Sequence, residues 1–151
     1  MPAVLIDTNL LMYAVDPRDK SRQEKAVEVI KALGDMEEGC LSVQCLSEFA
    51  AVVTRKLSPP LTGEEALEQV ERLIDTFPIL SMTQLVVLEA IRGLILYHFS
   101  YYDAQLWATA RLNQVPLIFS EDFDSGSTIE GVTFVNPFEK SFRLEDWITY
   151  R

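Results

Sequence analysis

Val4-Leu5-Ile6-Asp7-Thr8-Asn9-Leu10-Leu11-Met12 is the stretch on which the reading of this chain turns. A short apolar run halts at an acid, a hydroxyl and an amide, and apolar residues then resume. That pattern reads as a buried strand delivering polar groups to one edge of a sheet. Ligands of open α/β sheets bind beyond the carboxyl ends of the strands, so Asp7 is a candidate site residue.

The placement recurs along the chain. Leu117-Ile118-Phe119 is a second buried strand, and it stops at Ser120-Glu121-Asp122. Asp103 lies at the start of a helix expected over 102–113. Glu48 lies inside a helix expected over 43–56, beside the apolar face of Val43, Leu46, Phe49, Ala50 and Val53. Each acid has an ordinary explanation when taken singly. Asp103 suits the first turn of a helix, and Asp122 suits a turn. Glu48, near the buried side of its helix, needs a partner or a metal. The repetition is what matters, because carboxylates gathered without basic partners repel one another, and a cation that draws them together is the simplest reason to keep them.

Working outward, strands are expected at 4–7, 40–42, 79–81, 117–119 and 131–135. Helices fall between them at 10–15, 21–33, 43–56, 62–75, 85–99 and 102–113. Gly34 reads as the stop of the helix over 21–33, and Thr62 with Glu65 forms a capping box. Strands alternating with helices imply an α/β fold in three layers, α/β/α, around a mostly parallel twisted sheet of four to five strands. The helix over 85–99 carries Val86, Val87, Ile91, Leu94, Ile95 and Tyr97. That is more apolar surface than one core face requires, so it reads either as a central buried helix or as a subunit interface.

The 151 residues, 48% of them hydrophobic, suit one compact domain. We expect it to span 1–140, with 141–151 as a C-terminal tail packed on it through Phe142, Leu144 and Trp147. No apolar run has transmembrane length, and the N-terminus lacks the basic region of a signal peptide. The expected location is cytoplasmic. Cys40 and Cys45 fit neither a disulfide framework nor a zinc site and read as buried thiols. His98 ends an apolar helix, where capping or an interface role suits it better than catalysis. The net charge of −10 opposes nucleic-acid binding. Against that, a cation-binding carboxylate cluster is part of the negative count, and basic residues are grouped as Arg18, Lys20, Arg22, Lys25 and as Arg55, Lys56. The grouping also reads as solvated helix surface, and an acidic chain could equally require a basic partner protein.

Leu5-Ile6-Asp7-Thr8-Asn9-Leu10-Leu11, then Ser47-Glu48-Phe49, then Tyr102-Asp103-Ala104 with small Ala108 and Ala110, then Phe119-Ser120-Glu121-Asp122 and Gly131-Val132 make an ordered set. In that order it resembles the PIN-domain ribonucleases, especially the VapC-type toxins, to about Phe138. The resemblance implies a PIN-like fold and a metal-binding core of Asp7, Glu48 and Asp103, with Asp122 as the fourth acid because Ser120 precedes it by two. Glu121 and Asp124 remain in reserve. Thr8 and Ser120 would be supporting hydroxyls, and Asn9 would help order the site. All-oxygen ligands suit one or two Mg²⁺ or Mn²⁺ ions. The expected activity is metal-dependent endonucleolytic hydrolysis of RNA, leaving a 5′-phosphate and a 3′-hydroxyl. The expected partners are a second copy of the chain and an antitoxin protein.

Other readings stay open at this point. A housekeeping RNA-processing nuclease would have the same site, and a non-catalytic interaction module would explain the apolar helix. A haloacid-dehalogenase-type phosphatase would want Asp where Asn9 stands. A phospho-receiver domain would want a late Lys that 116–122 does not offer.

Overall fold

The computed structural model describes residues 1–149. The chain begins with β1 (Val4–Ile6), α1 (Thr8–Val15), α2 (Lys20–Asp35), β2 (Gly39–Ser42), α3 (Val43–Val53) and α4 (Gly63–Thr76). It continues with β3 (Ile79–Leu80), α5 (Gln84–Tyr97), α6 (Tyr101–Leu112), β4 (Leu117–Phe119), β5 (Thr128–Ile129) and β6 (Val132–Val135). The six strands stand in the order β3-β2-β1-β4-β6-β5. All neighbours are parallel except β5, which runs antiparallel to β6.

The sheet thus has one strand more than the four to five expected. The addition, β5, has two residues, too few to carry a period-two pattern. It is set by its turn: Glu130 and Gly131 have φ of 48° and 82°, the left-handed pair that a two-residue hairpin turn requires.

The helices fall into two groups. Helix α1 packs on α2 and α3, and α3 packs on α4, while α5 packs on α6 and α6 leans on β4 and β6. Together with the sheet they make a three-layer α/β/α architecture. The central helix is α6, in which every residue from Ala104 to Ala110 is buried. Helix α5, one of whose readings was the central helix, lies instead at the surface. It buries Val86, Ala90 and Gly93 and leaves Leu85, Leu88, Ile91, Leu94, Ile95 and Leu96 exposed. Gly93 is where the two helices meet: a Cβ there would lie 2.7 Å from the ring of Trp107. Trp107, fully buried, is among the largest core side chains together with Phe49, Phe119 and Phe134.

Sequence cues account for most helix ends. Thr62 and Glu65 form the expected capping box of α4. His98 is the C-cap of α5, in the left-handed conformation with φ 59°. Gly34 is not a helix stop, because α2 continues to Asp35 and the left-handed residue beyond it is Glu37. The glycine serves packing instead, since a Cβ at 34 would stand 3.0 Å from Cγ2 of Thr76 at the end of α4. Past β6, Phe142 meets Phe119 edge-on with ring centroids 5.7 Å apart, and Ile148 is buried. Tyr150 and Arg151, the end of the expected tail, lie outside the described residues.

The chain builds β1, β2 and β3 outward in one direction, then crosses back to lay β4 on the other side of β1. The reversal leaves a crevice beyond the carboxyl ends of β1 and β4, the place where doubly wound sheets bind ligands.

Candidate functional site

The register Ile6↔Phe119 brings the residues after β1 and β4 side by side. The Asp7 backbone N–H donates to the Phe119 carbonyl at 3.0 Å. Asp7 also caps α1, its Oδ1 accepting from the Thr8 N–H at 2.7 Å. The Ser120 hydroxyl donates to Asp7 Oδ2 at 2.7 Å and accepts from the Asp122 backbone N–H at 3.0 Å. Asn9, in the first turn of α1, closes the arrangement. Its Nδ2 lies 3.4 Å from Asp7 Oδ2, 3.2 Å from Ser120 Oγ and 3.2 Å from Asp122 Oδ2. Amide and hydroxyl hydrogens therefore stand between two acids that would otherwise repel.

Glu48 projects from α3 into the same cleft and is held at both oxygens. The Thr8 hydroxyl donates to Oε2 at 3.0 Å, and Gln44 Nε2 donates to Oε1 at 2.9 Å. Gln44 is itself fixed, because Gln105 Nε2 donates to its Oε1 at 2.7 Å. Asp103 is the third residue of α6, whose N-cap Ser100 accepts from the Asp103 N–H at 3.4 Å. Asp7, Glu48, Asp103 and Asp122 all line one cleft of 410 Å³.

The reserve acids stand elsewhere. Glu121 turns away to accept from the Tyr13 hydroxyl at 2.5 Å and from Arg22 Nη1 at 3.0 Å. Asp124 is exposed and does not line the cleft; its carbonyl accepts from the Ser127 N–H and hydroxyl.

Electrostatics follow from burial. Asp7 is 8% exposed. Loss of water pushes its carboxyl up to about 6, the charges of Asp122 and Glu48 push the same way, and the hydrogen bonds from Ser120 and Thr8 oppose. Asp103 is raised too, first by burial and then by Asp122 and Glu48. Behind the cleft the thiols of Cys40 and Cys45 are buried and pushed up to about 12 by burial, which leaves them inert.

The donor set fits a hard divalent cation, being carboxylate oxygens with polar oxygens beside them. Asn9 Oδ1 is buried with no hydrogen-bond partner, a further oxygen without a proton to accept. Among the described residues no three acidic, His or Cys side chains stand close enough together to hold an ion.

Gln44 and Gln105 were not singled out in the sequence. Gln44 precedes Glu48 by one helical turn, the spacing at which side chains on a helix meet, so its contact was legible in principle. Gln105 is on a different helix and gives no such signal.

The PIN domain family matches residues 4–127 of the chain. No curated protein matches it. Among solved structures, the VapC20 toxin of Mycobacterium tuberculosis, described as cleaving the sarcin-ricin loop, superimposes with a TM-score of 0.66 at 16% identity, over 84% of this chain and 97% of that one. A toxin–antitoxin complex from Klebsiella pneumoniae gives 0.61 at 20% identity, over 90% of this chain and 98% of that one. DNA-bound VapBC from Salmonella typhimurium gives 0.65 at 17% identity, over 89% and 97%. At these identities the likeness is one of fold.

Proposed function

Because the chain belongs to the PIN domain family, we propose that it is a metal-dependent endoribonuclease and the toxin of a toxin–antitoxin pair. The observation that carries this reading is the convergence of Asp7, Glu48, Asp103 and Asp122 on one cleft at the switch point of the sheet. The fold-level neighbours, a toxin described as cleaving the sarcin-ricin loop and a toxin–antitoxin complex, support RNA as substrate and an antitoxin as partner.

Asp7, Glu48, Asp103 and Asp122 would hold one or two Mg²⁺ or Mn²⁺ ions. Such an ion supplies Lewis acidity, drawing in the phosphodiester and lowering the pKa of a bound water. The chain's own residues set the stage. Ser120 and Asn9 aim the Asp7 and Asp122 carboxylates into the cleft, and Thr8 and Gln44 fix Glu48 at its two oxygens. Asp7 must lose its proton to become a ligand, and because burial raises its carboxyl to about 6, cation binding should weaken as pH falls.

The nuclease unit in this proposal is 1–140, with the segment from Ser141 as its tail, acting in the cytoplasm. Among the described residues no helix is long and apolar enough to cross a membrane. The exposed apolar row of α5 supports a homodimer. An apolar groove of 570 Å³ between α2 and α4, with Val27, Ile30, Leu73 and Phe77 in its walls, supports docking of an antitoxin segment.

The test is RNA cleavage by purified protein with Mg²⁺ or Mn²⁺, with the product ends mapped. Cleavage with 5′-phosphate ends that stops in EDTA and in Asp7→Asn and Asp103→Asn variants is the expected result. Activity that survives both would overturn the proposal. If metal titration shows no binding while a small neighbouring-gene product binds tightly, the interaction-module reading replaces it.

A further inference from the structure

We propose that the cleft grips single-stranded RNA at two points, one on each side of the acids: Lys56 takes a backbone phosphate and the ring of Tyr102 takes a base. This rests on the ribonuclease reading above and specifies how its substrate is held.

Charge identifies the first point. The cleft is lined by five carboxylates, those of Asp7, Asp16, Glu48, Asp103 and Asp122, and by two cations, Arg18 and Lys56. A polyanion needs a cation at such a wall. Arg18 is already committed to Asp16, with Nε 2.9 and 3.1 Å from its two oxygens and Nη2 2.7 Å from Oδ2. Nearby Arg22 is likewise held by Asp19 and Glu121. Lys56 is exposed, just past the end of α3, the helix that carries Glu48. Among the described residues it forms no ion pair. It is the cleft cation left available for a phosphate.

Shape identifies the second point. Tyr102 directly precedes Asp103 and is 66% exposed. Its position is fixed although its ring is open. Gln44 Nε2 donates to its carbonyl at 3.2 Å, and Tyr101 stands edge-on at 5.5 Å. Beside it lies a groove of 650 Å³ that shares Gln44, Glu48 and Tyr102 with the cleft and is also lined by Val43 and Met82. Among the described residues no cation lines that groove, so it suits an uncharged flat group. An unstacked base on an exposed aromatic ring is how proteins commonly read single-stranded RNA. The groove opens directly onto Glu48, so a base lodged there belongs to a nucleotide close to the acids.

The test uses anisotropy of a short fluorescein-labelled single-stranded RNA of mixed sequence. It is bound to full-length Asp7→Asn protein with Mg²⁺ present, over a range of KCl. Adding Lys56→Ala should weaken binding about tenfold at low salt and reduce the slope of log affinity against log salt by about 0.7, the share of one phosphate on a single strand. Lys56→Arg should restore both. Tyr102→Ala should weaken binding about tenfold with the slope unchanged, while Tyr102→Phe should bind as the parent does. The proposal is overturned if the parent does not bind, if Lys56→Ala leaves the slope intact, or if Tyr102→Ala binds normally. It is also overturned if the loss in Tyr102→Ala tracks a change in oligomeric state on sizing, which would make Tyr102 a subunit contact. Cleavage with unchanged KM in both alanine variants, made in the wild-type background, would sink the two-point grip and leave the nuclease reading intact. RNA binding with both contributions, but no cutting with any divalent cation, would do the reverse.

Discussion

The Ser120 hydroxyl donates to Asp7 Oδ2 at 2.7 Å, joining two buried residues 113 positions apart in the chain. This bond opposes the effect of burial on Asp7, favouring the charged carboxylate that burial disfavours. Ser120→Ala should therefore move the Asp7 carboxyl further up, above about 6. Carboxyl-carbon NMR titration reads this directly, and the acid limb of the cleavage profile should shift in parallel. An unchanged titration would mean that Asn9 and the Thr8 N–H suffice to hold the charge.

Stability should depend on pH through Asp7 with a definite sign. Its folded-state value of about 6 exceeds the unperturbed 3.8. Below both values the group is protonated in either state and costs nothing. Between them the unfolded chain releases the proton first, so stability falls as pH rises. Above about pH 6 the whole penalty applies, roughly 3 kcal/mol as an upper figure. Metal-free wild type and Asp7→Asn should thus melt at similar temperatures near pH 4 and diverge toward pH 7, with the variant the more stable. The comparison cancels other titrating groups, such as Glu130, which Arg92 and Tyr97 hold down at about 2. Melting curves that stay parallel across the range would refute the assignment.

Mg²⁺ should reverse that order. A divalent ion favours ionised Asp7, so its stabilising effect should be larger at pH 7 than at pH 5 and mostly absent in Asp7→Asn. Thermal melts with and without Mg²⁺ at the two pH values decide it.

Glu48 is held at one oxygen by Thr8 and at the other by Gln44. Thr8→Val and Gln44→Ala should each lower the cleavage rate by about tenfold while costing only about 1 kcal/mol of stability. The double variant should lose less than the product of the two, because a carboxylate freed at one end is already misplaced. A KM rise with constant kcat would instead place these residues in substrate binding.

Gly93→Ala tests the α5–α6 contact. Helix propensity alone would reward alanine by about 1 kcal/mol. The added Cβ would stand 2.7 and 2.9 Å from the fully buried ring of Trp107, so the ring or the helix must shift. We expect a net loss of about 1–3 kcal/mol in chemical denaturation. A stabilised variant would show that α5 can ride outward without cost.

The strand-end acids were legible because a buried strand must be apolar and its end need not be. Val4-Leu5-Ile6-Asp7 announces where the sheet meets the crevice. Ser120, two positions earlier, is the cue that favours Asp122 over Glu121 and Asp124; what the sequence does not show is why Glu121 turns away, because Tyr13 and Arg22, which engage it, lie far away in sequence. Their geometry leaves Asp122 as the acid of the three that faces the cleft. Helices α5 and α6 exposed a limit of periodicity. The apolar α5 is at the surface, whereas α6, with Gln105 and Thr109 in its buried run, fills the interior. The polar groups there are satisfied inside the protein: Thr109 donates to the Gln105 carbonyl one turn back and Gln105 donates across to Gln44 of α3. Gly34 misled for a related reason, since a glycine kept for close approach has the same letter as one kept for a turn.

The crossing-back of the chain to place β4 beside β1 also bears on the order of synthesis. Asp7 leaves the ribosome early, but Ser120, 113 positions later, and Asp122 just beyond it follow only after β4 has been made. A nascent polypeptide ending before β4 has Asp7 without its hydroxyl donor and without the strand that walls the crevice. The cleft is therefore complete only once β4 has joined β1. A chain truncated at Pro116 should bind Mg²⁺ no better than Asp7→Asn does, and isothermal titration of the two would decide the point.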